Sequence, residues 1–184
     1  MKKHIIFLGL ILSVIGIFLC GCVENNSTES TESNLLEGLE YTNTAYGFGL
    51  NPPDGWTTDE NDQYVTVRFY GPIINDFNMN LGINGPEVYE EGSALSEIID
   101  DMIEAYPSVF TDFNYSSSDS ITINGMNAYN FIYTFTMEGV ELKQIQYLVE
   151  KQGKVSIITF TATIDVFDDY IDIVEESLTS FTVV

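Results

Sequence analysis

The only imidazole and thiol side chains in this 184-residue chain are His4, Cys20 and Cys22, all within its first 22 residues. From Val23 onward there is no base of the kind that activates a serine or cysteine nucleophile, and no soft ligand set for zinc. Gly-x-Ser-x-Gly, Walker and dinucleotide fingerprints are missing as well, and Gly47-Phe-Gly49 is two glycines in a strand. Carboxylates are what remain. With 28 Asp and Glu, a paired-carboxylate hydrolase can be drawn in many ways. That abundance makes any single pair uninformative, so a hydrolase ranks third among the functional readings. Asp59-Glu-Asn-Asp62-Gln63 has the outline of a calcium loop, but Tyr64 stands at position six and Tyr70 at position twelve, where Gly and Glu are needed. The segment reads as a polar loop. The expectation is a protein with no catalytic residues, no cofactor and no dedicated metal site.

The acids are organised nonetheless. Glu97, Asp100, Asp101 and Glu104 recur at helical spacing opposite an apolar stripe, and Asp168, Asp169, Asp172, Glu175 and Glu176 do the same in a second segment. Like charges one turn apart cost about 0.2–0.5 kcal/mol per pair, and no Lys relieves them. Glu175 and Glu176 also lie toward a helix C-terminus, where the dipole disfavours anions. Local helix stability therefore does not account for the stripes. Two readings stay open: a solvated face suited to solubility or salt, or a surface for divalent cations or a basic protein partner. Nucleic acid is excluded as a partner, because phosphate binding needs clustered Lys and Arg and the chain has six such residues in all.

Residues 1–21 have the form of an export signal. Lys2 and Lys3 precede an apolar run from Ile5 to Leu19, too short for a bilayer-spanning helix of roughly 20 residues and suited to a signal core. The run ends in Leu19-Cys20-Gly21-Cys22, which resembles the prokaryotic lipobox, with Leu at −3, a small residue at −1 and Cys22 as the lipidated residue. Two acyl chains on Cys22 meet the requirement for stable anchoring. Cleavage would remove His4 and Cys20 and leave Arg68, Lys143, Lys151 and Lys154 against 28 acids, a net charge of −24. The alternative is an uncleaved signal anchor. Residues 22–40, rich in Ser, Thr, Asn and Glu, read as the lipidated N-terminus and a polar tether. The expected location is the extracytoplasmic face of the cell membrane. Asn25, Asn26 and Asn114 head glycosylation sequons that occur readily by chance in so polar a chain.

Residues 41–184 must supply one stable core without a disulfide. Period-two alternation marks strands: Val65, Val67 and Phe69 against Tyr64, Thr66, Arg68 and Tyr70; Phe77, Met79, Leu81 and Ile83; and Tyr129, Phe131, Tyr133 and Phe135. Asn124-Gly125, Glu138-Gly139 and Gln152-Gly153 are turn signals that string antiparallel hairpins together. A first helix is expected from an N-cap at Ser93 to a stop at Pro107, burying Leu95, Ile98, Ile99, Met102, Ile103 and Tyr106. A second is capped by Asp165 and buries Phe167, Tyr170, Ile171, Val174 and Leu178. A short strand over 180–184 ends the chain. The class is α+β. Tyr64, Tyr70, Tyr129, Tyr133 and Tyr147 either line a ligand groove or, in the favoured reading, pack under the helices with their hydroxyls at the rim.

Tyr46-Gly-Phe-Gly-Leu-Asn-Pro-Pro-Asp-Gly-Trp56 resembles the opening of PsbP-like domains, in which a Tyr-Gly-Phe strand runs into a Pro-x-Gly-Trp turn. Asn124-Gly-Met-Asn-Ala-Tyr129, the Thr159, Thr161, Thr163 strand and the Phe-containing terminal helix follow in the same order, so the resemblance spans 41–184. It implies an antiparallel β-sheet sandwiched by helices in α/β/α layers, and a non-catalytic accessory or protein-binding role supporting a membrane-protein complex outside the cytoplasm. A cation- or small-ligand-binding surface protein is the alternative. The photosystem II role of the plant namesake does not transfer, because that subunit docks through basic residues and this chain has few.

Overall fold

The computed structural model describes residues 35–88 and 94–184. The leader, Cys22, most of the tether, Asn25, Asn26 and the expected cap Ser93 lie outside the described residues. The stretch read as tether ends inside the fold: Leu36 is buried and Leu39 packs over Gly49.

Seven strands make one antiparallel sheet: β3 (Thr57–Asp59), β4 (Val67–Ile74), β5 (Phe77–Val88), β6 (Thr111–Ile123), β7 (Met126–Met137), β8 (Val140–Lys151) and β9 (Lys154–Thr163). Their spatial order is β3-β4-β5-β9-β8-β7-β6. Four two-residue turns close the hairpins, at Asn75-Asp76, Asn124-Gly125, Glu138-Gly139 and Gln152-Gly153, with positive φ at both positions of each. Such turns match the right-handed twist of the flanking strands, and Gly, Asn and Asp tolerate their backbone best. The Asn75-Asp76 turn, which has no glycine, was not among the expected ones. The helix α1 (Leu95–Ala105) carries the chain from β5, inside the sheet, to β6 at its far edge. Three hairpins then bring it back until β9 pairs with β5, Leu81 opposite Phe160.

A second sheet of three short strands, β1 (Tyr41–Asn43), β2 (Phe48–Leu50) and β10 (Thr182–Val183), is ordered β1-β2-β10. With the helix α2 (Phe167–Leu178) it covers one face of the large sheet. There Phe48, Phe69, Leu81, Tyr147, Phe160, Val174 and Phe181 share a core. The other face carries α1, whose Leu95, Ile98, Ile99 and Met102 pack on Phe131, Tyr133, Leu142 and Leu148. Ile145, Tyr147 and Val149 of β8 point to the first core, while Leu142 and Leu148 point to the second. A helix thus lies on each side of the sheet, the expected sandwich.

Three local expectations change. The strand foreseen from Tyr64 begins only at Val67 and runs through Gly71-Pro72 to Ile74, because Asp62 folds Tyr64 and Val65 into a turn by accepting both backbone N–H groups, at 2.7 and 3.2 Å. At the first helix, the N-cap position is Ala94, whose N–H donates to the Glu97 carboxylate at 3.1 Å. At the second, Val166 is the N-cap and Asp165 does not cap. Its carboxylate instead accepts from the Thr163 hydroxyl at 2.6 Å and the Asn75 amide at 2.7 Å, latching the β4–β5 turn to the end of β9. These bonds, the Thr163 hydroxyl foremost, hold the Asp165 carboxyl below its ordinary range.

Candidate functional site

All nine acids of the two stripes are exposed: Glu97, Asp100, Asp101 and Glu104 on α1, and Asp168, Asp169, Asp172, Glu175 and Glu176 on α2. Because the helices cover opposite faces of the sheet, the stripes form two separate surfaces. Among the described residues no three acidic side chains converge as a metal site would require. Tertiary structure also supplies a partner that helix spacing did not. Lys143 of β8 reaches Asp168 at 2.7 Å and sits 4.5 Å from the Phe167 ring centroid. Asp168 is 80% exposed, so the pair adds little stability. Glu175, though exposed, accepts the Tyr147 hydroxyl at 3.0 Å. Burial, with the nearby carboxylate, pushes the Tyr147 phenol far up.

The most site-like surface lies where α2 meets the β3–β4 edge. A groove of about 500 Å3 is lined by Trp56, Tyr70, Pro72, Ile73, Tyr170 and Ile173, with Asp54 at its mouth. Ile73 is 70% exposed and Ile173 43%, so two large aliphatic side chains stand in water beside an indole. The indole packs against Gly71, where a Cβ would come within 2.7 Å of its ring and 2.8 Å of Met79. Asn78 also lines the groove, and its side-chain oxygen is buried without a hydrogen-bond partner. An unmet buried acceptor is uncommon in folded proteins. On α2, the exposed Asp169 and Glu176 sit four residues before and three after Ile173, on the same side of the helix.

On the opposite face, beyond the reach of α1, the sheet carries a polar basin. Arg68 of β4 donates through Nε to Asp62 at 2.6 Å and through Nη1 to Asn80 at 2.5 Å. Burial alone would raise the Asp62 carboxyl. The Arg68 guanidinium and the Tyr64 and Val65 amides outweigh that and hold it below the ordinary carboxylate range. A group depressed on folding contributes stability above its unfolded value, and loses it as the pH falls through the folded one. The melting temperature of the parent should therefore drop more steeply below about pH 4 than that of Asp62→Asn. Parallel acid limbs in a calorimetric pH series would contradict this.

The fold and its order of elements can now be set beside known proteins. The family model of PsbP-like proteins matches residues 6–181. The chain belongs to the PsbP-like protein family. No curated protein sequence matches it. Among solved structures, the PsbP-like chain is similar to cyanobacterial PsbP (CyanoP) from Synechocystis, at 17% identity and TM-score 0.57 over 78% of this chain and 91% of that one. LpqN of Mycobacterium tuberculosis gives 14% identity and TM-score 0.57 over 74% and 82% of the two chains. The protein of unknown function PA94 from Pseudomonas aeruginosa gives 18% and 0.53 over 69% and 85%. At such identities the likeness carries the PsbP-like fold and nothing more.

The tyrosines divide. Tyr133 and Tyr147 are fully buried and Tyr129 half-buried against the α1-side core, whereas Tyr70 lines the groove and Tyr64 is exposed. Of the residues lining the groove, the sequence marks Tyr70 as a binding candidate, puts Tyr170 on a buried face and presents Trp56 only in a family motif. Ile73 and Asn78 carry no local signal. Ile173 falls between the apolar and acidic stripes of α2, an out-of-phase aliphatic that could have been noticed.

Proposed function

We propose that this PsbP-like chain is a lipid-anchored, extracytoplasmic accessory protein without catalytic activity, which binds a basic partner in a membrane complex through the α2 groove. The observation that carries this reading is the exposed Ile73 and Ile173 in one groove with Trp56 and Asp54, on a strongly acidic chain. Apolar anchors ringed by one sign of charge suit a segment that presents hydrophobic side chains flanked by Lys and Arg. Support for the anchor comes from the family match, which starts at residue 6 and so includes the apolar run and Cys22. Among the described residues no helix is long and apolar enough to cross a membrane, so attachment would fall to the N-terminus. LpqN, described as involved in cell envelope biogenesis, agrees with a role at that location.

Two measurements test the reading. Mass spectrometry of the mature N-terminus should find a diacylated Cys22, and Cys22→Ser should move the protein from the membrane to the soluble fraction. An intact Met1 would overturn the anchor. In crosslinking from membranes, the double variant Ile73→Glu, Ile173→Glu should lose partner capture by roughly tenfold or more, the scale of losing buried anchors. Both side chains are exposed, so its melting temperature should stay near that of the parent. Undiminished capture would refute the groove as the docking site.

A further inference from the structure

We propose that the polar basin around Arg68 is a binding site for a short monocarboxylate, with the Arg68 guanidinium taking the carboxylate and aromatic walls covering its hydrocarbon tail. This site is on the opposite face from the α2 groove and does not depend on it.

The first observation is the cavity. A space of about 200 Å3 opens on the sheet with Arg68, Asn80, Gln144, Thr159 and Thr161 on its floor and Phe77, Phe135 and Met137 among its walls. These floor residues come from β4, β5, β8 and β9, brought side by side by pairing: Arg68 faces Gly82, Asn80 faces Thr161, and Thr161 faces Gln144. Gly82 leaves the room. A Cβ there would meet Val65 at 3.3 Å and the Arg68 Nη1 at 3.7 Å. Small-molecule pockets are commonly about 300–1,000 Å3, so this volume selects a ligand of a few carbons.

The second observation is the direction of the hydrogen bonds. Gln144 donates to the Tyr133 hydroxyl at 2.6 Å, and its oxygen accepts from Thr161 at 3.2 Å. The Asn80 oxygen is taken by Arg68, and Thr159 accepts from Gln146 at 3.4 Å. The Gln144, Asn80 and Thr159 oxygens are thus engaged. Among the described residues, no acceptor meets Arg68 Nη2 or the Thr159 hydroxyl proton. What the basin offers a ligand is donors, one of them cationic. A guanidinium has five N–H donors in a rigid fork and can bind one carboxylate on Nε and a second group on its far side. Asp62 holds the first place at Nε, with Arg68 17% and Asp62 9% exposed. The second has no acceptor among the described residues, and Arg68 lines the cavity. A carboxylate fits that place, and the phenyl rings beside it suit a short alkyl or aromatic tail.

The chain's field repels anions, so affinity must come from these local donors. Salt should then leave it unchanged or raise it, because screening weakens the repulsion. The test is calorimetric titration of the full chain in detergent with butyrate, hexanoate and benzoate, beside their neutral amides. At least one acid should bind, roughly tenfold or more tighter than its amide, the worth of a charge-assisted bond. Arg68→Lys and Thr159→Val should each weaken that acid by about tenfold. Thr159→Val preserves side-chain shape, and keeps the test open if Arg68→Lys fails to fold. Failure of every acid to bind, equal binding of amide and acid, or full affinity in a folded Thr159→Val variant would overturn the site. Such results would leave the groove and the anchor untouched.

Discussion

Replacing Tyr106 with alanine is expected to cost about 3–5 kcal/mol, enough to remove much of a small domain's stability. Tyr106 ends α1 in a short 3-10 turn, Tyr106–Ser108, that Pro107 prevents from continuing as α-helix. Its ring lies 5.1 Å from Phe110, 5.3 Å from Tyr133, 5.7 Å from Phe131 and 5.8 Å from Phe113. It therefore pins the α1 layer to the sheet at one point. Its hydroxyl donates to Gln146 at 2.9 Å, beneath the helix. Tyr106→Phe separates the two contributions. It keeps the packing and orphans a buried amide oxygen, at about 1–3 kcal/mol. Denaturant titration of both variants should rank alanine well below phenylalanine. Equal losses would mean that the hydrogen bond, and not the aromatic nest, holds α1 in place.

Gly71→Ala should have the next largest effect, about 1–3 kcal/mol, through overpacking. The added methyl would stand 2.7 Å from the Trp56 indole and 2.8 Å from Met79, in an irregularity of β4 bounded by the Tyr70–Asn80 and Ile73–Asn78 pairs with β5. Met79 is buried, so the indole, which has the groove on its other side, must yield. Loss of stability should therefore come with weakened partner capture and a shift in Trp56 fluorescence, the chain's single tryptophan. An unshifted emission spectrum with parental stability would show that the close approach carries no energy.

Much of the fold was legible because it rests on short-range rules. Three hairpin turns announced themselves through Gly at a position needing positive φ, and β5 and β7 through alternation. The stripe from Leu95 to Tyr106 marked α1 within a residue or two of its start. Elsewhere the local signal failed for identifiable reasons. In β6, Thr111 to Ser120 shows no alternation, because it is an edge strand with two irregularities in its pairing to β7, at Thr111/Asn114 and Tyr115/Ser117. An edge facing water does not require apolar side chains at every second position. Asp165 has the residue type of a cap and sits one position too early, where Thr163 and Asn75 claim its carboxylate.

The candidate sites divide along the same line. Composition and spacing by themselves determined the acidic character, the absence of imidazole and thiol after Cys22, the amphipathic helices and the family motif, since each depends on neighbours within a turn or a hairpin. Only the tertiary structure decided that the two acidic stripes face opposite ways, that Ile73 and Ile173 line one groove with Trp56, and that Arg68 shares a cavity with Thr159 and Gln144. All three follow from β9 inserting beside β5, a pairing between segments some 80 residues apart. Periodicity reports which face of an element is buried. It carries no information about which distant element will bury it.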